Sequence, residues 1–197
     1  MNYSPAKRST VIIEAPKADL NGLPSRYVHP GELDILIYLI RSAEARTVVE
    51  FGCNSGRTAA AILRNVDSVE RYVGVDVRPG YSFACKVQAR EVPAVPGELA
   101  IGDKRFELLL RDRGTFDLTP DDLPSCDVVF IDADHSRPAV LNDRKLAKAI
   151  VRPGGLVVYH DDNGLEVVDV SLALDGLADE GAEIVHIAGT WLAFERM

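Results

Sequence analysis

The stretch from Val48 to Thr58 constrains the fold of this chain more than any other. Val48-Val49-Glu50-Phe51 is an apolar run carrying one acid, and it leads directly into Gly52-Cys53-Asn54-Ser55-Gly56. Helix-forming residues follow from Thr58 through Leu63. That order predicts a buried strand, a glycine turn and a helix. Glycine supplies backbone geometry that a Cβ obstructs, and the helix start leaves N–H groups pointing into the same crevice. A dinucleotide, an adenosyl cofactor or a plain ligand-free turn each fits such a loop, so the rest of the chain has to discriminate.

The chain of 197 residues is most simply one domain, read as an arm over residues 1–28 and a folded domain over residues 29–197. A net charge of −8 argues against a general electrostatic grip on nucleic acid or an anionic membrane. Cys53, Cys85 and Cys126 are scattered and odd in number, which fits a reducing, cytoplasmic setting better than a disulfide framework or a zinc site. The first ten residues lack an apolar targeting core, and no segment reaches membrane-spanning length.

Taken in order, residues 1–26 read as a polar arm with one short apolar run, Val11-Ile12-Ile13. His29-Pro30-Gly31-Glu32 opens a helix that runs to about Ala45, with proline and an acid in its first turn. Tyr27 and His29 stand where a chain can close over a ligand, and an ordinary helix start explains them equally well. Thr47 to Phe51 is the first core strand, Thr58 to Asn65 its helix, and Tyr72 to Val77 the second strand. Phe83 to Glu91 reads as helical before Pro93, Pro96 and Gly97 break the chain. Phe106 to Leu110 is preferred over Leu99–Ile101 as the third strand, because its apolar run is longer. Asp103 is then a simple turn residue, and Asp121-Asp122 a solvated turn. Cys126 to Asp132 is the fourth strand and Ala139 to Val151 a helix ended by Pro153-Gly154-Gly155. Leu156 to His160 is the fifth strand and Leu165 to Leu177 a helix. Glu183–Ala188 and Trp191–Phe194 form a closing strand pair across Gly189-Thr190.

Apolar strands alternating with helices predict a Rossmann-like, doubly wound α/β sheet. Glu50, Asp76, Asp132, His160 and Asp161 all fall at strand ends, the rim where open parallel sheets bind ligands. Asp76 lies about twenty residues beyond Gly56, a spacing that lets an acid accept both hydroxyls of a ribose. The loop lacks the third glycine of a dinucleotide G-x-G-x-x-G, and Glu50 would repel a pyrophosphate while attracting an ammonium group. An amino-acid-bearing cofactor is therefore favoured.

Four motifs in order carry a resemblance: E-F-G-C-N-S-G (Glu50 to Gly56), the acid of G-V-D-V (Asp76), F-I-D-A-D-H (Phe130 to His135) and R-P-G-G-L-V-V-Y-H-D-D (Arg152 to Asp162). Together they resemble class I S-adenosylmethionine-dependent methyltransferases, within them the small O-methyltransferase-like group with D-x-D-H after strand four. The resemblance covers roughly Glu32 to Phe194 and implies a seven-stranded sheet whose last strand is antiparallel. It implies that Glu50, Gly52, Cys53, Asn54, Ser55 and Gly56 hold the methionine part of S-adenosylmethionine, that Asp76 holds the ribose, and that Val77 packs on the adenine. Asp112, Arg113 and Gly114 border the adenine, and Asp132 faces the sulfonium. Methyl transfer is an in-line displacement that needs a positioned nucleophile and a base. Asp132, His135, His160 and Asp161 are the candidates for that work, with His135 or His160 a near-neutral imidazole base.

Asp132 and Asp161 are also carboxylates able to hold Mg²⁺. Catechol-type relatives carry Asp-Asn at the end of strand five, where this chain has His160-Asp161-Asp162-Asn163, a register that departs by one or two residues and leaves the metal ligands unassigned. The implied acceptor is a small molecule, most simply a hydroxyl; a homodimer is compatible with the resemblance. A methyltransferase fold that binds cofactor without turnover, and a nucleotide-sugar or dinucleotide enzyme, stand as the alternatives.

Overall fold

The computed structural model describes residues 8–26, 28–82, 92–164 and 169–197. The expected helix from Phe83 to Glu91, the first residues of the helix expected from Leu165, and Tyr27 lie outside them. The elements in order are β1 (Ser9–Val11), α1 (Pro30–Ser42), β2 (Thr47–Phe51), α2 (Arg57–Asn65), β3 (Arg71–Val77), β4 (Phe106–Arg111), β5 (Cys126–Ile131), α3 (Arg137–Ile150), β6 (Val151–Tyr159), α4 (Val170–Asp179), β7 (Val185–Ile187) and β8 (Ala193–Arg196). One sheet carries all eight strands in the order β1-β7-β8-β6-β5-β2-β3-β4, and β8 alone runs antiparallel to its neighbours. No helix of the described residues is long and apolar enough to cross a membrane.

Burial explains why the strands read as continuous apolar runs. Val48, Val128, Phe130, Leu156 and Val158 pack into the cluster that contains the buried faces of α1 and α2. Their alternates Val49, Phe51, Val129, Ile131, Val157 and Tyr159 pack with α3 and α4 on the other face. Side chains alternate with a period of two along a strand. In β3, Tyr72 joins the first cluster and Val73 and Val75 the second. On that period Glu50, Asp76, Asp132 and His160 all fall on the α1/α2 face. The α1 helix supplies this face through Leu33, Leu36, Ile37 and Ile40, the i, i+3, i+4, i+7 spacing of one helical stripe, all buried.

The expectation of seven strands is corrected by one. The arm adds β1, which pairs parallel to β7 from Ser9–Val185 to Val11–Ile187. The short run at Val11 gave no alternation because the arm lies at the sheet edge, where Ile12 is 81% exposed. The reading of Pro153-Gly154-Gly155 as a stop after the helix is also corrected. The helix ends at Ile150 and the chain passes directly into β6, with a register shift opposite Cys126/Val128. Gly154 and Gly155 lie in that irregular strand start, where they exchange backbone hydrogen bonds with Met197. Phe106–Arg111 is the third core strand as preferred, Asp103 pairs with Arg105 in the turn before it, and Asp122 caps a short 3-10 turn.

Candidate active site

The glycine loop is tied down from within. Gly52 and Cys53 both donate N–H groups to the Val75 carbonyl, at 2.8 and 3.2 Å. Asn54 N–H donates to Asp76 Oδ2 at 2.5 Å, Ser55 N–H to Asn54 Oδ1 at 2.7 Å, and Gly56 N–H to the Cys53 carbonyl at 2.7 Å. A turn at residues 97–99 braces the loop from outside, with Gly97 and Leu99 donating to the carbonyls of Asn54 and Ser55. Two of the glycines are required by geometry. Gly52 has φ +87°, and a Cβ there would lie 2.2 Å from the Asp132 carbonyl oxygen. Gly56 has φ +79°, and its Cβ would come within 3.0 Å of the Gly97 backbone. Every N–H from Gly52 to Gly56 is thus used inside the protein, whereas a dinucleotide loop presents such groups to a pyrophosphate.

Around the loop sit acids. Glu50 is buried and accepts a hydrogen bond from Tyr72 Oη at 2.9 Å. Burial pushes its carboxyl up to about 8, and the nearby Asp132 and Asp76 add to the effect. Asp76 accepts from the N–H groups of Val77 (2.7 Å) and Asn54, yet its burial still raises its pKa. Among the described residues no lysine, arginine or histidine pairs with either acid. On the far side of Asp76, Gly114 lies so close against Val77 that a Cβ added to it would stand 3.3 Å from Val77 Cγ1. Asp112 and Arg113 instead point to surface partners, Arg78 at 2.9 Å and Asp117 at 2.7 Å. Of the adenine-side residues expected from the sequence, the structure brings together Val77 and Gly114.

The ends of β5 and β6 carry a second, differently built cluster. His160 Nδ1 lies 3.2 Å from Asp132 Oδ1 and 3.1 Å from Asp161 Oδ2, and its Nε2 lies 3.3 Å from Glu32 Oε2. Burial works against the imidazolium, but Asp132, Asp161 and Glu32 outweigh it and hold its pKa well above the ordinary histidine value. This corrects the near-neutral imidazole expected there. Asp132 is pulled in the opposite direction: burial would raise it, and the two imidazoles hold it below the usual carboxylate range. His135 Nε2 stands 3.1 Å from Asp161 Oδ2 and 3.7 Å from Asp132 Oδ1. Asp134 of the same motif accepts the Ser136 N–H at 2.8 Å and so serves the start of α3.

Two residues of this cluster escaped the sequence reading. Glu32, read only as a first-turn acid, accepts the N–H of Trp191 at 2.6 Å and of His29 at 2.9 Å while facing His160. Trp191, read only as strand, sets its indole 6.3 Å from the His160 ring. His29 itself caps α1 by accepting the Gly31 N–H, the ordinary role. Strand parity is the signal that could have gathered the acids and His160, since it needs only the sequence; nothing local marks Glu32 or Trp191.

The ligating atoms of Asp132, His135 and Asp161 all lie within 4.8 Å of one another, close enough for one divalent ion. Two carboxylates and an imidazole suit a transition ion better than Mg²⁺, which prefers an all-oxygen shell. His160 Nδ1 already reaches the same two carboxylate oxygens.

A twisted, mostly parallel sheet with one antiparallel strand and an acidic rim beside a glycine loop defines the class I methyltransferase architecture. Residues 49–161, more than half of the chain, match the family model described as a methyltransferase domain, and the chain belongs to that family. No curated protein matches the sequence. Among solved structures, cofactor-bound Rv0187 from MTB is 21% identical, with a TM-score of 0.65 over 89% of this chain and 83% of that one. The O-methyltransferase from Bacillus cereus in complex with SAH is 19% identical, with a TM-score of 0.58 over 89% and 84%. The O-methyltransferase TomG from Streptomyces achromogenes, in complex with SAM, is 18% identical, with a TM-score of 0.59 over 88% and 83%.

Proposed function

We propose that this protein is an S-adenosylmethionine-dependent methyltransferase acting on a hydroxyl of a small-molecule acceptor. One observation carries the reading: Glu50 and Asp76 are buried acids without a cationic partner among the described residues, set beside a glycine loop whose N–H groups are already used. Such a cleft selects a cation over a phosphate. The methionyl ammonium of the cofactor supplies one next to Glu50, and the ribose hydroxyls can donate to the remaining lone pairs of Asp76. Val77 and Gly114 then flank the adenine.

The cofactor brings an activated methyl group; the chain has to place the acceptor and take its proton. His160, held positive among carboxylates, has no lone pair to offer and acts as the cluster's fixed charge. His135 is the proton acceptor, oriented through its Nε2 contact with Asp161. Asp132 stands between the two halves, its carbonyl against Gly52 and its carboxylate among the histidines. A divalent ion bound by Asp132, His135 and Asp161 would lower the pKa of an acceptor hydroxyl. The arm at residues 1–28 and the domain at 29–197 are proposed to work as one unit. Hydroxyl preference is supported by the O-methyltransferases among the structural neighbours. Cys53 and Cys126, buried and free, support a cytoplasmic setting.

Isothermal titration with S-adenosylmethionine and S-adenosylhomocysteine, with NAD as competitor, tests the reading. Micromolar binding unaffected by NAD is expected, and no binding at millimolar ligand overturns it. Formation of S-adenosylhomocysteine over a panel of hydroxyl acceptors, with and without chelator, then tests transfer and the metal. A cofactor-binding protein without turnover is the second reading, favoured by the way His160 occupies both carboxylates; tight cofactor binding with a silent panel would support it.

A further inference from the structure

We propose that Arg8 and Asp162 form a clamp that positions the Asp161 carboxylate, so that the N-terminal arm is a working part of the transfer site. The proposal rests on the functional reading above for its purpose, and on geometry alone for its substance.

Asp161 and Asp162 are consecutive acids sent to different places. His160 still belongs to the sheet, its N–H donating to the Ile131 carbonyl at 3.0 Å. Asp161 then turns to φ +60°, the left-handed region that a residue with a Cβ adopts only when its surroundings impose it. This turn places its carboxylate 3.1 Å from both His135 Nε2 and His160 Nδ1.

The imposition comes from the next residue. Asp162 donates its N–H to the Trp191 carbonyl at 3.0 Å, and its side chain is 1% exposed. Its Oδ2 accepts from Arg8 at 2.6 Å and meets His186 Nδ1 at 2.8 Å, while Oδ1 accepts from the Ser171 hydroxyl at 2.8 Å. Arg8 also reaches Asp175 Oδ1 at 2.7 Å. Segments from the arm, α4, β7 and the turn before β8 therefore converge on one carboxylate. Charge-assisted bonds of this kind, shielded from water, are among the stronger fixings available to a loop.

The arm does not need this clamp to stay in place. It is fastened separately by the β1–β7 pairing, by Lys17 and the Ala18 N–H on Asp34, and by the exchange between Asp19 and Asn65. An ion pair serving only the arm would be redundant; one that fixes a strained neighbour of the site is not.

The test uses the full chain as Arg8→Ala, Arg8→Lys, Asp162→Asn and, as a control on another arm ion pair, Lys17→Ala. The chain has four histidines, so long-range proton–nitrogen spectra resolve the His135 ring, assigned with His135→Gln. Arg8→Ala and Asp162→Asn should displace the His135 ring signals as Asp161 leaves its place; Arg8→Lys should largely restore them, and Lys17→Ala should not move them. S-adenosylhomocysteine affinity by titration should stay within about twofold in all four, since Glu50 and Asp76 are untouched. Unmoved His135 signals in Arg8→Ala, or equal movement in Lys17→Ala, overturn the clamp. Should Asp162→Asn not fold, Arg8→Ala with its lysine rescue decides alone. Absence of S-adenosylhomocysteine binding by the unaltered chain would instead overturn the functional reading, leaving the ring signals to judge the clamp.

Discussion

At the ends of β2 and β3, Glu50 and Asp76 are buried acids with no cation beside them among the described residues, and burial raises both. At the ends of β5 and β6, Asp132 and Asp161 share two imidazoles, and Asp132 is lowered. The first half is an incomplete charge arrangement that a ligand can complete. The second is complete in itself and spends its charges on holding its own members in place. Their construction differs accordingly: the first is one local strand–turn–helix unit with its neighbouring strand, the second is gathered from α1, the turn before α3, the end of β6 and the turn before β8.

The largest expected effect breaks the junction between the halves. Gly52→Ala puts a Cβ against the Asp132 carbonyl in a left-handed backbone, and should cost about 4 kcal/mol of stability, read by urea unfolding. A loss below about 1 kcal/mol would mean that the halves are not packed as described. Next, Glu50→Gln should weaken S-adenosylhomocysteine binding about 100-fold, near 3 kcal/mol, without lowering the melting temperature. The free protein holds Glu50 protonated below about 8 and the complex needs it ionised, so binding should release a proton and weaken as pH falls from 8 to 6. Titration in buffers of different ionisation enthalpy measures that proton, and Glu50→Gln should abolish it.

In the self-balanced half, His160→Gln should lower stability by about 2 kcal/mol at pH 6. The His160 pKa is raised in the folded state, so its contribution is complete below pH 6.5 and lost as pH rises through the folded value. The deficit should therefore shrink by pH 9, and a constant deficit would reassign His160 to packing. The smallest effect comes from Asp143, a buried acid of α3 that accepts from the Thr115 hydroxyl and has an Oδ2 without a partner. Burial lifts it to about 7 from 3.8, so stability should fall as pH rises between those values. Asp143→Asn should remove that slope and gain about 1 kcal/mol at pH 8, distinguishing a lone buried acid from one that awaits a ligand.

These contrasts also explain what the sequence disclosed. The loop, Asp76 and the alternation of apolar strands with helices were legible because each is written within about thirty residues. Glu32 and His160 are 128 residues apart, and an acid three residues after a helix start has an ordinary explanation that conceals its partner. The strand from Ser9 to Val11 was illegible for another reason: three exposed residues at a sheet edge need no apolar pattern. Arg152-Pro153-Gly154-Gly155 misled because its exposed, irregular start of β6 has the composition of a helix stop.

The reversed strand β8 begins from a turn that leaves Trp191 at the mouth of the site, 45% exposed and beside the His160 ring. It is the one tryptophan in the chain, so ultraviolet emission from this protein is emission from the transfer site. A protonated imidazole at that range quenches indole, and a ligand settling over the pair alters both solvent access and quenching. The molecule thus carries its own optical indicator at the position where acceptors have to be recognised, and candidate compounds can be screened by light with no label attached.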